Sequence, residues 1–387
     1  MFQLLSPRIM LVGGGAVREL PAVLARLGLR RPLVVTDPFM VSSGLLQRCL
    51  DPLAAAGLTA DVFSDTVSDP TDTVVAAGVA RLGPEHDCLI GFGGGSSIDT
   101  AKAMALLALG TAPLRAMKVP AVPDRAALPL IAVPTTAGTG SEATRVTVIT
   151  DTEHDEKMLI MGLGCLPVAA IVDHELTWSL PPRITADTGI DSLTHALEAY
   201  VSRRANPVTD GWAMSAMALI GANIRAAYHQ PRDAAAREAM MLGALLGGLA
   251  FSNAAVALVH GMSRPIGAHF HVPHGLSNAM LLPAVVRYSV GSAVVRYAAA
   301  ARQIGMAGAA DDDETACSRL ADGLAALNQE LAVPTPRGFG IDPAQWESKL
   351  PLMAEQALAS GSPANNPRVP DAAEIVALYR AVYGANR

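Results

Sequence analysis

Three histidines and one aspartate have the types and spacing of a metal site. In the segment 189–198, GIDSLTHALE, Asp191 precedes His195 by four residues, so a helix would place both side chains on one face, about 6 Å apart along its axis. Two more histidines, His260 and His274, follow in the segments LVHGM and VPHGL. Three imidazoles and a carboxylate suit a divalent ion such as Fe(II) or Zn(II), with coordination positions left for a substrate. The alternative is that a histidine on an alanine-rich helix is an ordinary core residue.

A glycine-rich turn, Gly93-Gly94-Gly95-Ser96, lies between a run that predicts a strand and a run that predicts a helix. A turn without side chains lets a phosphate approach the unpaired N–H groups at the positive end of a helix. The segment therefore predicts an anion site. Three glycines also occur in ordinary tight turns, and this spacing is not that of the usual GxGxxG dinucleotide motif.

Two further segments could contact a nucleotide. Residues 134–144, PTTAGTGSEAT, follow another predicted strand, and their small hydroxyl side chains can bond to ribose, phosphate or carboxamide groups. Asp37 ends the predicted strand at 32–36, where a carboxylate could accept hydrogen bonds from an adenosine ribose and repel a 2'-phosphate. Taken alone, each feature is also compatible with a polar loop or a solvated acid.

The order of apolar runs predicts two domains that position these segments. Residues 1 to about 180 alternate predicted strands (32–36, 60–63, 88–92 and 128–133) with helical stretches (44–56 and 71–82), a pattern typical of a parallel sheet covered by helices. Long helical patterns follow at 185–202, 209–228 and 232–249, after a proline pair at 181–182. We therefore expect an α/β nucleotide-binding domain at 1–180 and an all-α metal-binding domain at 181–387.

Composition argues against two classes of partner. The 387 residues are 51% hydrophobic and 17% charged, which is enough for one large core or two smaller ones. A net charge of -6 and scattered basic residues leave no stripe for a nucleic-acid backbone. No uninterrupted apolar stretch reaches the roughly 18 residues that cross a bilayer, and the N-terminus lacks the features of a secretory signal, so we expect a cytoplasmic protein with no membrane partner.

Four widely spaced cysteines without a CxxC pair fit free thiols in a reducing compartment.

Together these motifs resemble those of the iron-containing alcohol dehydrogenase family. The similarity covers essentially the whole chain and includes 93–102, 134–141, 189–195, 250–253, 366–368 and the segments around His260 and His274. The resemblance implies an N-terminal nucleotide-binding domain and a helical metal-binding domain. It implies NAD and a divalent metal as cofactors, with Fe(II) favoured and Zn(II) as the alternative. It also implies a homo-oligomer, with a dimer favoured.

The resemblance assigns roles to single residues. The positions that match cofactor contacts are Asp37, Gly94, Gly95, Ser96, Thr135, Thr136, Thr139 and Lys157. The positions that match metal ligands are Asp191, His195, His260 and His274, and Phe251 matches a position in the substrate pocket. The implied reaction interconverts an alcohol and an aldehyde or ketone, with the metal polarising the substrate oxygen and NAD(H) exchanging a hydride with the adjacent carbon. An acid at position 37 favours NAD over NADP.

Arg264 departs from the family pattern, because many relatives have a histidine thought to take part in proton transfer four residues after the ligand His260. A guanidinium stays protonated and cannot serve as an ordinary acid or base near neutrality. His269, His271, or a ribose hydroxyl with water are the candidates that could replace it. We expect Pro265 to bend or end the helix, so that Arg264 could hold a carboxylate-bearing hydroxy acid or semialdehyde.

Three other functions are compatible with such a fold. A dehydroquinate-synthase-like lyase would need a cluster of Lys and Arg for a sugar phosphate, and the sequence offers only Arg264 and scattered charges. A metal-independent maleylacetate-reductase-like enzyme is not expected to retain all four metal-ligand residues. The same retention argues against a non-catalytic nucleotide-binding protein.

Overall fold

The structure is a computed structural model that describes residues 1–110, 112–154 and 156–384. Contacts between Cα atoms divide the chain into two units, Leu4–Ser179 and Leu180–Arg387, and the second unit also includes Met1–Gln3. The first unit contains all the strands of the described chain, and the second is helical.

Short, apolar, β-branched runs form the strands of the first unit. The strands are β1 (Ile9–Val12), β2 (Pro32–Val35), β3 (Asp61–Phe63), β4 (Cys88–Gly93), β5 (Leu130–Pro134), β6 (Val146–Asp151), β7 (Glu156–Met161) and β8 (Ala169–Val172). Six of them form one parallel sheet in the order β1-β8-β5-β4-β2-β3. Strands β6 and β7 form a separate antiparallel hairpin.

Helices cover both faces of the parallel sheet. They are α1 (Leu20–Leu27), α2 (Pro38–Ser42), α3 (Gln47–Ala55), α4 (Asp72–Val79) and α5 (Gly95–Ala108). Because successive side chains of a strand point to opposite faces, Val34 packs in a core with residues of α1 and α3. Its neighbour Leu33 packs in a second core with residues of α4 and α5. The sheet is therefore the middle layer of three, and its strands read as continuous apolar runs because both faces are buried.

The second unit consists of helices, several of which pack around α6. They are α6 (Pro182–Val201), α7 (Pro207–His229), α8 (Ala234–Ala254), α9 (Leu258–Phe270), α10 (His274–Ser289), α11 (Val294–Ile304), α12 (Asp313–Glu330), α13 (Pro336–Phe339), α14 (Pro343–Ala359) and α15 (Ala372–Tyr383). Helix α6 contacts α7, α8 and α10 and is buried along most of its length. This central position makes α6 a rigid base for any site built on it.

The predicted fold class, a parallel α/β domain followed by helices, is confirmed. All four predicted strands are present, with their ends shifted by one or two residues. The sequence did not predict β1, β8 or the β6–β7 hairpin. Strand β1 lies at the sheet edge with an alternating half-exposed pattern, which lacks the continuous apolar run that identified the central strands.

Helix α8 is long and apolar enough, by length and composition, to cross a membrane, and it is the one such helix in the described parts of the chain. Of its apolar window, 61% is buried inside the protein, where it packs against α6 and α7. A core helix of a water-soluble protein has the same composition, so α8 is weak evidence for a membrane span.

Candidate functional site

Four residues of the helical unit converge on one point. Asp191 and His195 lie one turn apart on α6, His260 lies in the first turn of α9, and His274 is the first residue of α10. One ligand atom from each lies within 4.8 Å of the others. The Asp191 Oδ1 atom is 3.5 Å from His260 Nε2, and 3.9 Å from the Nε2 atoms of His195 and His274. The structure therefore brings together the four candidate metal ligands.

The cluster is closed except beside one histidine. Asp191, His195 and His260 are 2%, 4% and 3% exposed, whereas the side chain of His274 is 40% exposed. Three imidazole nitrogens and a carboxylate oxygen are a donor set that suits Fe(II) or Zn(II). A catalytic metal also needs an open position, and the exposed side of His274 provides access to one.

Glu198, one turn beyond His195 on α6, determines which nitrogen of His260 faces the cluster. Its Oε2 lies 2.7 Å from His260 Nδ1, and because a carboxylate only accepts, Nδ1 carries the proton and Nε2 the free lone pair. The same carboxylate accepts the backbone N–H groups of Ala257 (2.8 Å) and Val259 (2.6 Å), which caps the start of α9. Glu198 therefore fixes both the ring and the helix that carries it.

Asn278 contributes a further polar group from α10, one turn beyond His274. Its Nδ2 donates to Asp191 Oδ1 at 2.6 Å, and it lies 3.2 Å from Nε2 of both His260 and His274. The amide thus orients the aspartate from the side of the two later histidines.

A glycine allows α10 to begin this close to α6. A Cβ added to Gly275 would lie 2.6 Å from the backbone oxygen of Asp187, so only a residue without a side chain fits there. Asp187 is one turn before Asp191, and His274 directly precedes Gly275. The contact therefore sets how near His274 lies to Asp191.

The charges of the cluster favour an ionised carboxylate. Burial tends to raise the pKa of Asp191, but the neighbouring imidazoles of His195, His274 and His260 outweigh burial and hold its pKa well below its usual range. Burial tends to lower the pKa of His260, whereas the neighbouring carboxylates of Asp191 and Glu198 raise it, and the raising effect prevails. Asp191 is therefore anionic at neutral pH, as a metal ligand would have to be.

One predicted pocket residue, Phe251, lies against the cluster, and another, Arg264, lies on the helix that carries His260. The Phe251 ring stacks on His195, with centroids 4.3 Å apart and planes at 19°. Arg264 lies one turn beyond His260 on α9, and its Nη1 donates to Ser362 Oγ at 2.9 Å. Burial lowers the pKa of Arg264, and the charge of Glu198 opposes this shift. Helix α9 does not end at Pro265, because only one backbone bond, to Gly261, is lost there and the helix is buried on both sides of it.

His269 and His271 lie toward the end of α9. His269 Nε2 is 2.8 Å from Gln356 Oε1 on α14. His271 is an exposed residue in the left-handed conformation (φ 53°) that ends α9. Within the described ranges neither ring makes a hydrogen bond to the four clustered residues, and their role in proton transfer stays a prediction.

In the first unit, the three predicted nucleotide-contacting segments follow neighbouring strands. Asp37 follows β2, Gly94 follows β4, and Thr135 follows β5, and these strands are adjacent in the order β5-β4-β2. Parallel strands end at the same edge of a sheet, where ligands of open α/β folds bind. The candidate cofactor residues of these segments therefore share one edge.

The glycine turn and the hydroxyl-rich loop touch each other. A Cβ on Gly95 would lie 2.7 Å from Thr139 Cγ2, and one on Gly94 would lie 3.6 Å from Thr136 Cγ2. Helix α5 begins at Gly95, with Ser96 in its first turn, so its free N–H groups face this turn. Thr135 is fully buried and its Oγ1 has no hydrogen-bond partner among the described residues. A buried hydroxyl usually has a partner, and a bound nucleotide would supply one.

Asp37 has a structural role that the sequence did not predict. Its Oδ1 caps α2 by accepting the N–H groups of Phe39 (2.9 Å) and Met40 (3.1 Å). Its Oδ2 accepts the hydroxyl of Ser97 at 3.3 Å, which turns the carboxylate toward the glycine turn. Lys157 lies on β7, away from the parallel sheet, and donates to Asp69 Oδ1 at 2.7 Å; its cofactor role stays a prediction.

Comparison with known proteins decides the family. The family model described as "Iron-containing alcohol dehydrogenase" matches residues 7–174, and "Fe-containing alcohol dehydrogenase family, C-terminal" matches residues 185–383. The chain belongs to the iron-containing alcohol dehydrogenase family. It is therefore an oxidoreductase that interconverts an alcohol and an aldehyde or ketone by a metal-dependent, NAD(H)-linked reaction. This membership argues against the lyase and the non-catalytic protein.

Individual relatives match along almost the entire chain. Lactaldehyde reductase of Escherichia coli (strain K12) is 34% identical over 375 residues, which is 96% of this chain and 97% of that protein. The crystal structure of a 1,3-propanediol oxidoreductase has a TM-score of 0.95 at 35% identity and covers 99% of this chain and 100% of that one. A sulfoacetaldehyde reductase from Bifidobacterium kashiwanohense, solved with NAD+, has a TM-score of 0.88 at 28% identity and covers 100% of both chains.

Glu198 and Asn278 are the site residues that the sequence analysis missed. Both carried a usable signal. Glu198 is three residues after His195 and Asn278 four after His274, and each spacing puts a polar side chain on the same helix face as a candidate ligand.

Proposed function

We propose that this alcohol dehydrogenase uses Fe(II) and NAD(H) to interconvert a hydroxy acid and its semialdehyde. The observation that carries the proposal is the cluster of Asp191, His195, His260 and His274, with a half-buried guanidinium, Arg264, one helical turn from His260. The cluster supports the alcohol–carbonyl chemistry, and the guanidinium supports an anionic substrate.

The four clustered residues would hold the metal, which when bound supplies polarisation of the substrate oxygen. Glu198 holds His260 with its Nε2 facing the cluster, and Asn278 orients the Asp191 carboxylate. The Phe251 ring, stacked on His195, covers the apolar side and limits the entry of water. Fe(II) is preferred to Zn(II) because the family models are those of iron-containing enzymes, although the donor set fits both ions.

The nucleotide would bind at the edge of the sheet where β2, β4 and β5 end. Gly94, Gly95 and Ser96 would face its phosphates, since they form the glycine turn and the first turn of α5. Thr135, Thr136 and Thr139 offer hydroxyls from the neighbouring loop, and Lys157 would supply a cation from β7. The Asp37 carboxylate would accept from the ribose and disfavour a 2'-phosphate, which supports NAD over NADP.

The proposal of an anionic substrate depends on Arg264. A guanidinium has five N–H donors, and the bond to Ser362 uses one of them, so a fork of donors is left to bind a carboxylate. A sulfoacetaldehyde reductase, whose named substrate carries a sulfonate, is among the structural relatives. The second candidate is a neutral hydroxyaldehyde or diol. It is supported by the relatives named lactaldehyde reductase and 1,3-propanediol oxidoreductase.

Matched substrate pairs test this choice. Enzyme reconstituted anaerobically with Fe(II), and in parallel with Zn(II), would be assayed with succinic semialdehyde against butanal and with 4-hydroxybutyrate against 1-butanol. We expect higher kcat/KM for the acids. Arg264→His should lower kcat/KM for the acids by about 10- to 100-fold, the value of a charged hydrogen-bonded pair, and should leave the neutral substrates unchanged or improved. Preference for neutral substrates, with equal effects of Arg264→His on all of them, would overturn the anionic substrate but not the enzyme class.

We also propose a cytoplasmic homodimer. Strand β1 is at the edge of the sheet, and its Met10 and Val12 are 39% and 42% exposed, so an edge partner would cover them. All four cysteines are free, which suits a reducing compartment. Light scattering after gel filtration would measure the mass, and a monomer at all concentrations would exclude the dimer.

A further inference from the structure

Lys102 is a fully buried lysine on α5 whose hydrogen bonds, within the described parts of the chain, go to none of the candidate cofactor residues named above. It is 0% exposed. Its Nζ donates to Ser141 Oγ (2.9 Å), Thr144 Oγ1 (3.0 Å) and the backbone oxygen of Val146 (2.7 Å). An ammonium has three donors, so all of them are used. The three acceptors follow Thr139 in the chain. Ser141 and Thr144 belong to the hydroxyl-rich loop, residues 134–144, and Val146 is the first residue of β6.

Asp99 holds the same segment from one turn earlier on α5. Its Oδ1 accepts from Ser141 Oγ at 2.6 Å, and its Oδ2 accepts from Val148 N at 3.0 Å. The Ser141 hydroxyl therefore accepts from Lys102 and donates to Asp99, which fixes its direction. Burial raises the pKa of Asp99 and lowers that of Lys102, and the charge of each opposes the shift of the other. Opposite charges buried near each other contribute little net stability but demand good geometry, and here Ser141 Oγ bridges the two.

The position of Thr139 depends on this arrangement. The Ser141 N–H donates to Thr139 Oγ1 at 3.2 Å, and the methyl of Thr139 lies where a Cβ of Gly95 would be 2.7 Å away. Gly95 is the first residue of α5. Helix α5 thus forms one wall of the nucleotide cradle and, through Asp99 and Lys102, holds the opposite wall at a set distance.

We propose that Asp99, Lys102 and Ser141, here named the loop clamp, are positioning residues that set the separation of the glycine turn and Thr139 and thereby the affinity for NAD(H). The inference depends on the proposed nucleotide site. The clamp residues act through Thr139, which faces the glycine turn; they do not bind the cofactor.

The test separates cofactor positioning from simple stabilisation of the fold. NADH affinity would be measured by fluorescence titration of the full-length protein, beside the melting temperature and binding of Zn(II), which reports on the helical unit. Ser141→Ala removes the bridging hydroxyl and should weaken NADH binding about tenfold, the value of one or two hydrogen bonds. Lys102→Met should weaken it at least as much and lower the melting temperature, because it leaves Asp99 buried without its cation.

The double variant Asp99→Asn/Lys102→Met decides between the two roles. It removes both buried charges, so the melting temperature should recover relative to Lys102→Met, while NADH affinity should stay at least about tenfold below wild type because Ser141 and Thr144 have lost the Lys102 donor. Met104→Ala is the matched control, since Met104 is a fully buried residue of the same helix that packs toward Gly78 and Phe63. It should lower the melting temperature and leave NADH affinity unchanged.

Two results would overturn the clamp. If NADH affinity returns together with the melting temperature in the double variant, the clamp only stabilises the fold. If Met104→Ala weakens NADH binding as much as Ser141→Ala does, general loosening of α5 explains the effect. A wild-type protein that binds Zn(II) but no NADH would instead contradict the proposed nucleotide site, on which the clamp depends.

Discussion

The candidate site of the first unit is built mainly from backbone groups and small side chains, and that of the second unit from ligand-bearing side chains. At the sheet edge, the cradle consists of backbone N–H groups, glycines and small hydroxyl side chains, and it would be lost by adding a Cβ at Gly95. In the helical unit, the cluster consists of four large side chains from three helices, and it would be lost by removing one of them. A phosphate is bound by main-chain donors and a metal by side-chain donors, so the two sites are sensitive to opposite changes.

Two buried carboxyl groups, one in each unit, have pKa values shifted in opposite directions. Three imidazoles surround Asp191 and hold its pKa below the usual range. Burial raises the pKa of Glu142, in the first unit, to about 7, and the charge of Lys102 opposes this only in part. The Asp191 carboxyl, surrounded by imidazoles, is therefore ionised at neutral pH, whereas the Glu142 carboxyl, buried with little compensation, keeps its proton up to about neutral pH.

The largest effect is expected from His260→Ala. The variant loses an imidazole and leaves Glu198 without its ring partner, so metal retention should fall below detection and turnover by more than about 1000-fold, as metal catalysis supplies several kcal/mol. NADH affinity should stay within about twofold of wild type, because its candidate contacts are all in the other unit. Metal analysis after dialysis, NADH titration and steady-state assays measure these outcomes.

Gly95→Ala is the reciprocal control for His260→Ala. Its Cβ would meet the Thr139 methyl at 2.7 Å, so NADH binding should be lost while the metal content is unchanged. Full activity in a metal-free His260→Ala protein would contradict the four-ligand site. Loss of metal from Gly95→Ala would contradict the independence of the two sites.

Next in size is Glu198→Gln. The neutral amide cannot balance the imidazole charge or accept all three N–H groups that Glu198 accepts, so metal affinity should fall by about 10- to 100-fold, as for other carboxylate–histidine pairs. Competition with a chromogenic chelator measures this directly. Glu238→Gln, at an exposed position of α8, which carries none of the four clustered residues, is a control for the substitution itself. Equal affinities in wild type and Glu198→Gln would mean that Glu198 serves only to cap α9.

The sequence was sufficient where function depends on local spacing. Asp191 and His195 are four residues apart on one helix, and the glycine turn sits between a strand and a helix, so short-range periodicity identified both. The convergence of His260 and His274 on Asp191 requires that α9 and α10 pack against α6. That packing is a long-range property, which residue types and local spacing can suggest but do not encode.

Some residues have a structural role that the sequence did not suggest. Asp37 was expected to bind ribose, and the structure shows that it caps α2. Lys102 lies inside a recognised glycine motif, but its partners Ser141 and Val146 are about 40 residues away along the chain. Edge strand β1 pairs with β8, more than 150 residues later. Such pairings follow from the three-dimensional arrangement and leave no periodic pattern in either segment.

Glu142→Gln should change how the free energy of unfolding depends on pH. The folded-state pKa of Glu142, about 7, is above its ordinary value of 4.5, so the unfolded chain releases its proton first as pH rises. The contribution of the Glu142 proton to wild-type stability is therefore fully present below pH 4.5 and is lost as pH rises through 7. Glutamine has no proton to lose, so the variant should be more stable than wild type by up to about 3 kcal/mol at pH 8 and equal to it near pH 4.5.

Urea titrations of both proteins at pH 5, 6, 7 and 8 measure this difference. Glu85→Gln reports the effect of the same substitution at a half-exposed position. A pH-independent difference between Glu142→Gln and wild type would mean that Lys102 keeps the Glu142 carboxylate ionised, and the contrast with Asp191 would disappear.

The smallest effect is expected at Asp37, where binding and capping must be separated. Asp37→Asn keeps a good helix N-cap but removes the charge, so it should raise kcat/KM for NADP relative to NAD by about tenfold without a change in melting temperature. Asp37→Gly removes the charge and the side-chain cap, and it should change the cofactor ratio by a similar factor while costing a few tenths of a kcal/mol of stability. Oδ1 caps α2 and Oδ2 faces Ser97, and the two variants differ in the cap that they keep. An equal change in the cofactor ratio would therefore be explained by the loss of the charge, which both variants share. If Asp37→Gly alters the ratio and Asp37→Asn does not, the position of α2, rather than repulsion of a 2'-phosphate, determines which nucleotide is used.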